Sequence, residues 1–314
     1  MVFNNKALLV GDNPFHSISH LSQDRTRLRD KNIVLPEHAA DLILCAVNNG
    51  ANGFMFSVSE TTLSILRTLR KRELIARIGL YAIVPYAYEY VKMSTQVGGI
   101  PGLAQKVCWR MILSRNLKTM TTGLVGFLKS DPMPLLKTYL AYELSKMKSS
   151  AGKRCKIECL ILHEVLTDLG LAMNLESLFK SYIEHVENFG IVPGFNTVNF
   201  AYLVERFNEW NIDVSKLAIV APFNKVGFQM VPSREKCEQT LKGLGQPTLI
   251  AISVLAAGYL KPPEAVEYIA SLPNVKGLAV GVSSEKHAQE TFRLMKQKFA
   301  MNTEPGSGNS PKLY

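Results

Sequence analysis

Two nearly unbroken apolar runs separated by a helical pattern constrain this chain more than any other feature. Residues 248–257 (TLIAISVLAA) and 275–282 (VKGLAVGV) have the composition of strands buried on both faces. Between them Pro262, Pro263 and Glu264 open a helix, with proline in the first turn, where no amide partner is needed. After the second run, Ser283 and Ser284 precede a helix whose Ala288, Phe292, Met295 and Phe299 form one stripe. Two buried strands joined by a helical crossover are parallel neighbours. Strand candidates beginning near residues 7, 53, 78, 156, 191 and 217 repeat the unit upstream. Eight such units predict an α/β chain folded as a (β/α)8 (TIM) barrel, whose functional residues lie where the strands end.

The chain has 314 residues, of which 47% are hydrophobic and 20% charged, enough for one large core. We expect a single domain over 1–301 and a disordered tail over 302–314, which is polar and rich in Gly, Pro and Ser. With no long apolar span and no signal peptide, the expectation is a cytoplasmic protein without a transmembrane segment. Five cysteines without a CxxC pair suggest neither a disulfide framework nor a zinc ribbon.

The net charge of +10 is concentrated. Between Lys92 and Arg154 eleven basic residues face two acidic ones. This region, 87–154, is too long for one crossover helix and is expected to be a helical insertion after strand three that acts as a lid or cap. A lid would bring positive charge to a small anionic substrate; few aromatic residues and no recognised motif argue against nucleic acid. Its stretches 99–113 and 122–128 are apolar enough to contact the barrel, a membrane surface or another subunit, as in a homo-oligomer.

The strand ends supply the candidate site. Asp12 and His16 follow strand one, His163 and Glu164 follow strand four, and Lys225 follows strand six. These are candidates for acid/base work and, for Lys225, for a Schiff base; a loop lysine is the plainer alternative. Gly258, Gly281, Ser283 and Ser284 at the last two strands suit a phosphate, because glycine admits a close anion and a helix start favours one. A metal is not expected, since the paired histidines of barrel hydrolases are missing from strand one.

LILH ending at His163, GFNTVNF at 194–200, Pro222-Phe223-Asn224, VLAAGYL at 254–260 and VGVSSEKHAQETF at 280–292 together resemble the second half of an aldo-keto reductase barrel. The resemblance implies NADPH at the ends of strands seven and eight, and a histidine, here His163, that polarises a substrate carbonyl. Of the family's four catalytic groups only this histidine has a counterpart. Phe56-Ser57-Val58-Ser59-Glu60 stands where the aspartate and tyrosine are expected, and Val84-Pro85-Tyr86 where the lysine is expected. The readings to be separated are an NADP-linked reductase acting on a small anionic, phosphorylated or nucleotide-linked molecule, an aldolase-like lyase using Lys225 or acid/base groups, and a barrel that binds without catalysis.

Overall fold

The computed structural model describes residues 6–16, 35–85 and 132–300. Eight parallel strands close in chain order: β1 Ala7–Gly11, β2 Gly53–Ser57, β3 Gly79–Val84, β4 Lys156–Leu162, β5 Val192–Asn196, β6 Ala218–Pro222, β7 Leu249–Ile252 and β8 Val275–Gly281, which pairs back with β1. All begin within one residue of the expected positions. Around them run α1 Pro36–Asn48, α2 Glu60–Lys71, α3 Pro132–Ala151, α4 Glu164–Ala172, α5 Glu176–Glu187, α6 Phe200–Glu209, α7 Arg234–Lys242, α8 Pro262–Ser271 and α9 Glu285–Met295.

Helix starts follow side-chain chemistry. Ser59 accepts from Thr62 N–H and forms a capping box at α2, Ser233 accepts from Lys236 N–H at α7, and Ser284 accepts from His287 N–H at α9. Asn199 precedes α6 but makes no side-chain cap. Two apolar layers result. The outer one lies between sheet and helices, with Phe54, Phe179, Phe195, Phe207 and Phe292 among its buried side chains. The inner one fills the lumen with Leu9, Met55, Tyr81, Ile83, Cys159, Ile161, Val220 and Ile250. Lumen-facing glycines make room for these side chains: a Cβ at Gly53 would lie 2.6 Å from Leu9 Cδ2, and one at Gly194 2.8 Å from Cys159 Sγ.

Three expectations change. The seventh strand is not the whole run 248–257: it stops at Ile252, because Ser253 turns into the left-handed region (φ 52°) and Val254 and Ala256 are buried in a loop instead. The connection after β4 begins with a helix, α4, that the pattern of buried runs and stripes does not announce. The end of the basic insertion, α3, is the crossover between β3 and β4: Leu140, Leu144, Met147 and Ala151 are buried in the outer layer beside α2. The remainder of the region expected to be a lid, up to residue 131, lies, like the tail 302–314, outside the described residues. No helix among the described residues is long and apolar enough to cross a membrane.

Candidate functional site

Strand alternation decides which end residues face the lumen. In β4 the lumen takes Cys159 and Ile161, so the next inward position is His163; in β5 it takes Val192, then Gly194 and Asn196. Leu162 pairs with Phe195, so His163 and Asn196, one step further, leave the sheet side by side. Adjacent strands put them about 5 Å apart at the backbone.

His163 is fixed by its own backbone. Its N–H donates to Val84 O at 2.8 Å, extending the β3–β4 ladder, and its Nδ1 accepts the Val165 N–H at 3.2 Å as the cap of α4. A ring nitrogen that accepts carries no proton, so the neutral ring holds its proton on Nε2. Burial lowers the His163 pKa and favours that neutral form. Asn196 is 8% exposed, and its Oδ1 has no hydrogen-bond partner among the described residues. A buried orphan acceptor costs stability unless a ligand satisfies it.

Glu164 falls outside the inward alternation as the first residue of α4. It is half-buried, and its pKa is raised by burial and then by Asp168 one turn on. Asp168 accepts from Thr197 Oγ1 and from Val198 N–H (3.3 Å), tying α4 to the end of β5. Sequence reasoning missed it, because its partners lie about thirty residues away.

Asp12 and His16 are bonded to each other at the end of β1. Asp12 Oδ2 accepts the Ser57 N–H at 2.7 Å and bonds His16 Nε2 at 3.2 Å, so the carboxylate continues the β1–β2 ladder past the last backbone carbonyl. The Asp12 carboxylate thereby braces the rim, where it meets an otherwise unpaired amide. Lys225 is engaged at the surface. Its side chain is 53% exposed and its Nζ lies 2.7 Å from Glu264 Oε1, whereas a Schiff-base lysine needs a desolvated amine.

The four phosphate candidates separate. At Gly281 the space a Cβ would take is filled by the Pro14 ring (2.8 Å), so packing accounts for that glycine. Gly258 lies six residues beyond β7 with φ 91°, a conformation glycine adopts without penalty. Ser283 and Ser284 do lead the positive end of α9, which is open, with Ser284 exposed. Among the described residues no group of three His, Cys, Asp or Glu side chains is placed to hold a metal.

Backbone strain marks one sector of the mouth. Eight described non-glycine residues have positive φ; Glu73, Asn174, Asn211 and Asn274 lie beyond helix ends, and the other four are Gln229, Ser253, Ala256 and Ala257. All of those four lie in the adjacent loops after β6 and β7, and each left-handed residue costs on the order of 1–3 kcal/mol. The loops are joined by Ser253 Oγ to Gln229 Oε1 (3.3 Å), and Lys225 ties the first of them to Glu264 in the first turn of α8. Asn224, another polar residue at this rim, is spent on folding the first loop, donating to Phe228 O and accepting from Phe228 N (both 2.8 Å).

No family model matches the chain, and no curated protein sequence matches it. Solved structures do. A candidate aldo-keto reductase from Pseudomonas aeruginosa matches in a crystal structure at TM-score 0.57 and 12% identity, covering 94% of this chain and 91% of that one. A second structure of a candidate aldo-keto reductase from the same organism matches at TM-score 0.56 and 12% identity with the same coverage. The likeness extends over both halves of the barrel, and the fold is aldo-keto-reductase-like.

Proposed function

We propose that this chain is an NADP-linked carbonyl reductase in which His163 polarises the substrate. The reading rests on one observation: His163 has its Nδ1 occupied by the Val165 amide, which leaves the Nε2–H of a neutral ring to a ligand, on the strand next to the one that ends in the orphan acceptor of Asn196. A carbonyl oxygen placed there receives a hydrogen bond that strengthens as negative charge develops on it. Asn196 accepts from a donor group of the same ligand complex and so fixes its orientation.

The chain's own groups fit the cofactor. The exposed α9 start at Ser283 and Ser284 suits a phosphate, and the preset loop around Gly258 suits the neighbouring part of a dinucleotide. When bound, NADPH would supply the hydride to the carbonyl carbon. The anion expected from the sequence is thereby assigned to the cofactor and not to the substrate. His163 keeps its Nε2 proton throughout. No tyrosine, aspartate or lysine stands at the family's remaining catalytic positions, so the proton completing the alcohol comes from solvent at the mouth.

Titration with NADPH followed by NADH tests the cofactor. Oxidation of NADPH in the presence of a panel of aldehydes and ketones tests the reaction. Tight NADPH binding with turnover lost in His163→Ala is expected; binding without turnover of any carbonyl would make this a barrel that only binds, and no binding would remove the nucleotide altogether.

A further inference from the structure

The face where β3 and β4 begin carries a recess of about 370 Å³, at the opposite end of the barrel from His163. Its lining brings together Arg70, Glu73, Lys153 and Arg154, with the buried Ile75 and Ala151 as an apolar floor. Two helix ends hold it in shape. Helix α2 stops in a Schellman turn, in which Glu73 N–H donates to Arg70 O and Leu74 N–H to Leu69 O, and Glu73 is left-handed (φ 59°). Glycine is the usual residue at that position; here it is a carboxylate. Helix α3 stops at Gly152 (φ 83°), where a Cβ would lie 2.8 Å from Arg70 Nε, so the glycine lets the guanidinium lie against the backbone. Arg70 Nη1 donates to Ser149 O at 3.2 Å. That bond serves the negative end of α3, and it accounts for one cation only. Lys153 and Arg154 lie beyond the helix and are exposed, and no ion pair among the described residues engages any of the four charged groups. Cations that share a recess with a carboxylate and still stay apart from it are available to an outside anion.

We propose that this recess binds an organic phosphate of mononucleotide size, with the phosphate among Arg70, Lys153 and Arg154 and the body of the molecule on Ile75 and Ala151. The volume lies in the range of small-molecule sites and exceeds what a phosphate ion alone would fill. Glu73 only accepts hydrogen bonds, so it selects a ligand that carries hydroxyl or amino donors besides its phosphate. The site is separate from the mouth and does not depend on the reductase reading.

Calorimetric titration with adenosine monophosphate, adenosine and inorganic phosphate tests each part of the site. The nucleotide is expected to bind at least about tenfold more tightly than either fragment, and more weakly as sodium chloride is raised. Lys153→Gln combined with Arg154→Gln should cost the nucleotide about tenfold in affinity, and each change alone part of that. Lys236→Gln combined with Lys242→Gln, which removes the same charge from exposed positions on α7, should cost nothing. Neither Lys153 nor Arg154 makes a side-chain hydrogen bond or ion pair among the described residues, so thermal unfolding should be unchanged in their variants. No binding of the nucleotide, adenosine or phosphate binding as tightly as the nucleotide, or an unchanged affinity in the first double variant overturns the site. So does an equal loss in the second, which would reduce the attraction to net charge. None of these outcomes depends on NADPH binding or turnover, so the recess and the reductase reading stand or fall separately.

Discussion

His163 and Asn196 stand side by side where β4 and β5 end, one with its Nδ1 occupied by an amide and the other a buried acceptor without a partner among the described residues. The two are complementary in hydrogen-bonding sense, yet among the described residues no bond between them uses up either group. The proposed reductase reading gives that pair to a ligand.

Replacing His163 separates polarisation from folding. His163→Ala should lower kcat on the order of a hundredfold, while His163→Gln, which can still donate, should recover part of the loss. Far-ultraviolet circular dichroism should be unchanged in both. Unaltered turnover in His163→Ala would leave the ring as a helix cap and nothing more.

The pH dependence has a definite sign. Because burial lowers the His163 pKa below its ordinary value of 6.5, the unfolded chain binds more protons than the folded one as the pH falls through that region. The stability associated with a neutral His163 is complete above the unfolded pKa and is lost as pH falls toward the folded one. His185 and His287, also lowered chiefly by burial, act in the same direction. Urea midpoints should fall between pH 7 and pH 5. The fall should be smaller in His163→Gln.

Asn196 exchanges stability for binding. Asn196→Leu removes an orphan polar atom, so thermal unfolding should show anything from no change to a gain of about 1 kcal/mol. Ligand affinity should drop in the same variant. Loss of both properties would show that Asn196 supports the fold.

Asp12 should behave as a brace. Asp12→Ala leaves the Ser57 amide without its acceptor, and a loss of about 2 kcal/mol is expected in chemical denaturation. Turnover per folded molecule should be retained. A hundredfold fall in kcat with normal stability would return Asp12 to the chemistry.

Lys225→Met should change stability by less than about 0.5 kcal/mol, as expected for an exposed ion pair. Borohydride in the presence of a ketone should leave the protein mass unaltered. A trapped adduct that disappears in Lys225→Met would revive the lyase reading.

The barrel is legible in the sequence because a parallel sheet covered on both faces writes each strand as an apolar run, and His163 is legible because it ends one. The overshoot at β7 has the same origin: Val254 and Ala256 are apolar because they pack under a loop, and composition alone does not distinguish that from a strand. Helix α4 is hidden for the converse reason. Its Val165 and Leu169 face outward and spoil the one-sided stripe that announces a surface helix. Asp12, Asp168 and Lys225 owe their roles to partners between twenty-nine and forty-five residues away, Ser57, Thr197 and Glu264. Separation of that size leaves no local signal. Asn196 was within reach, since alternation from Val192 already turns it inward, but its missing partner appears only in three dimensions.

The side chains that fill the lumen set a floor. With Leu9, Tyr81, Cys159 and Ile161 packed against the inward glycines, the described part of the barrel is filled below the strand ends. On the reductase reading, cofactor and substrate would therefore meet above this layer, at the level of His163 and Asn196, and none of the barrel's depth would be open to either.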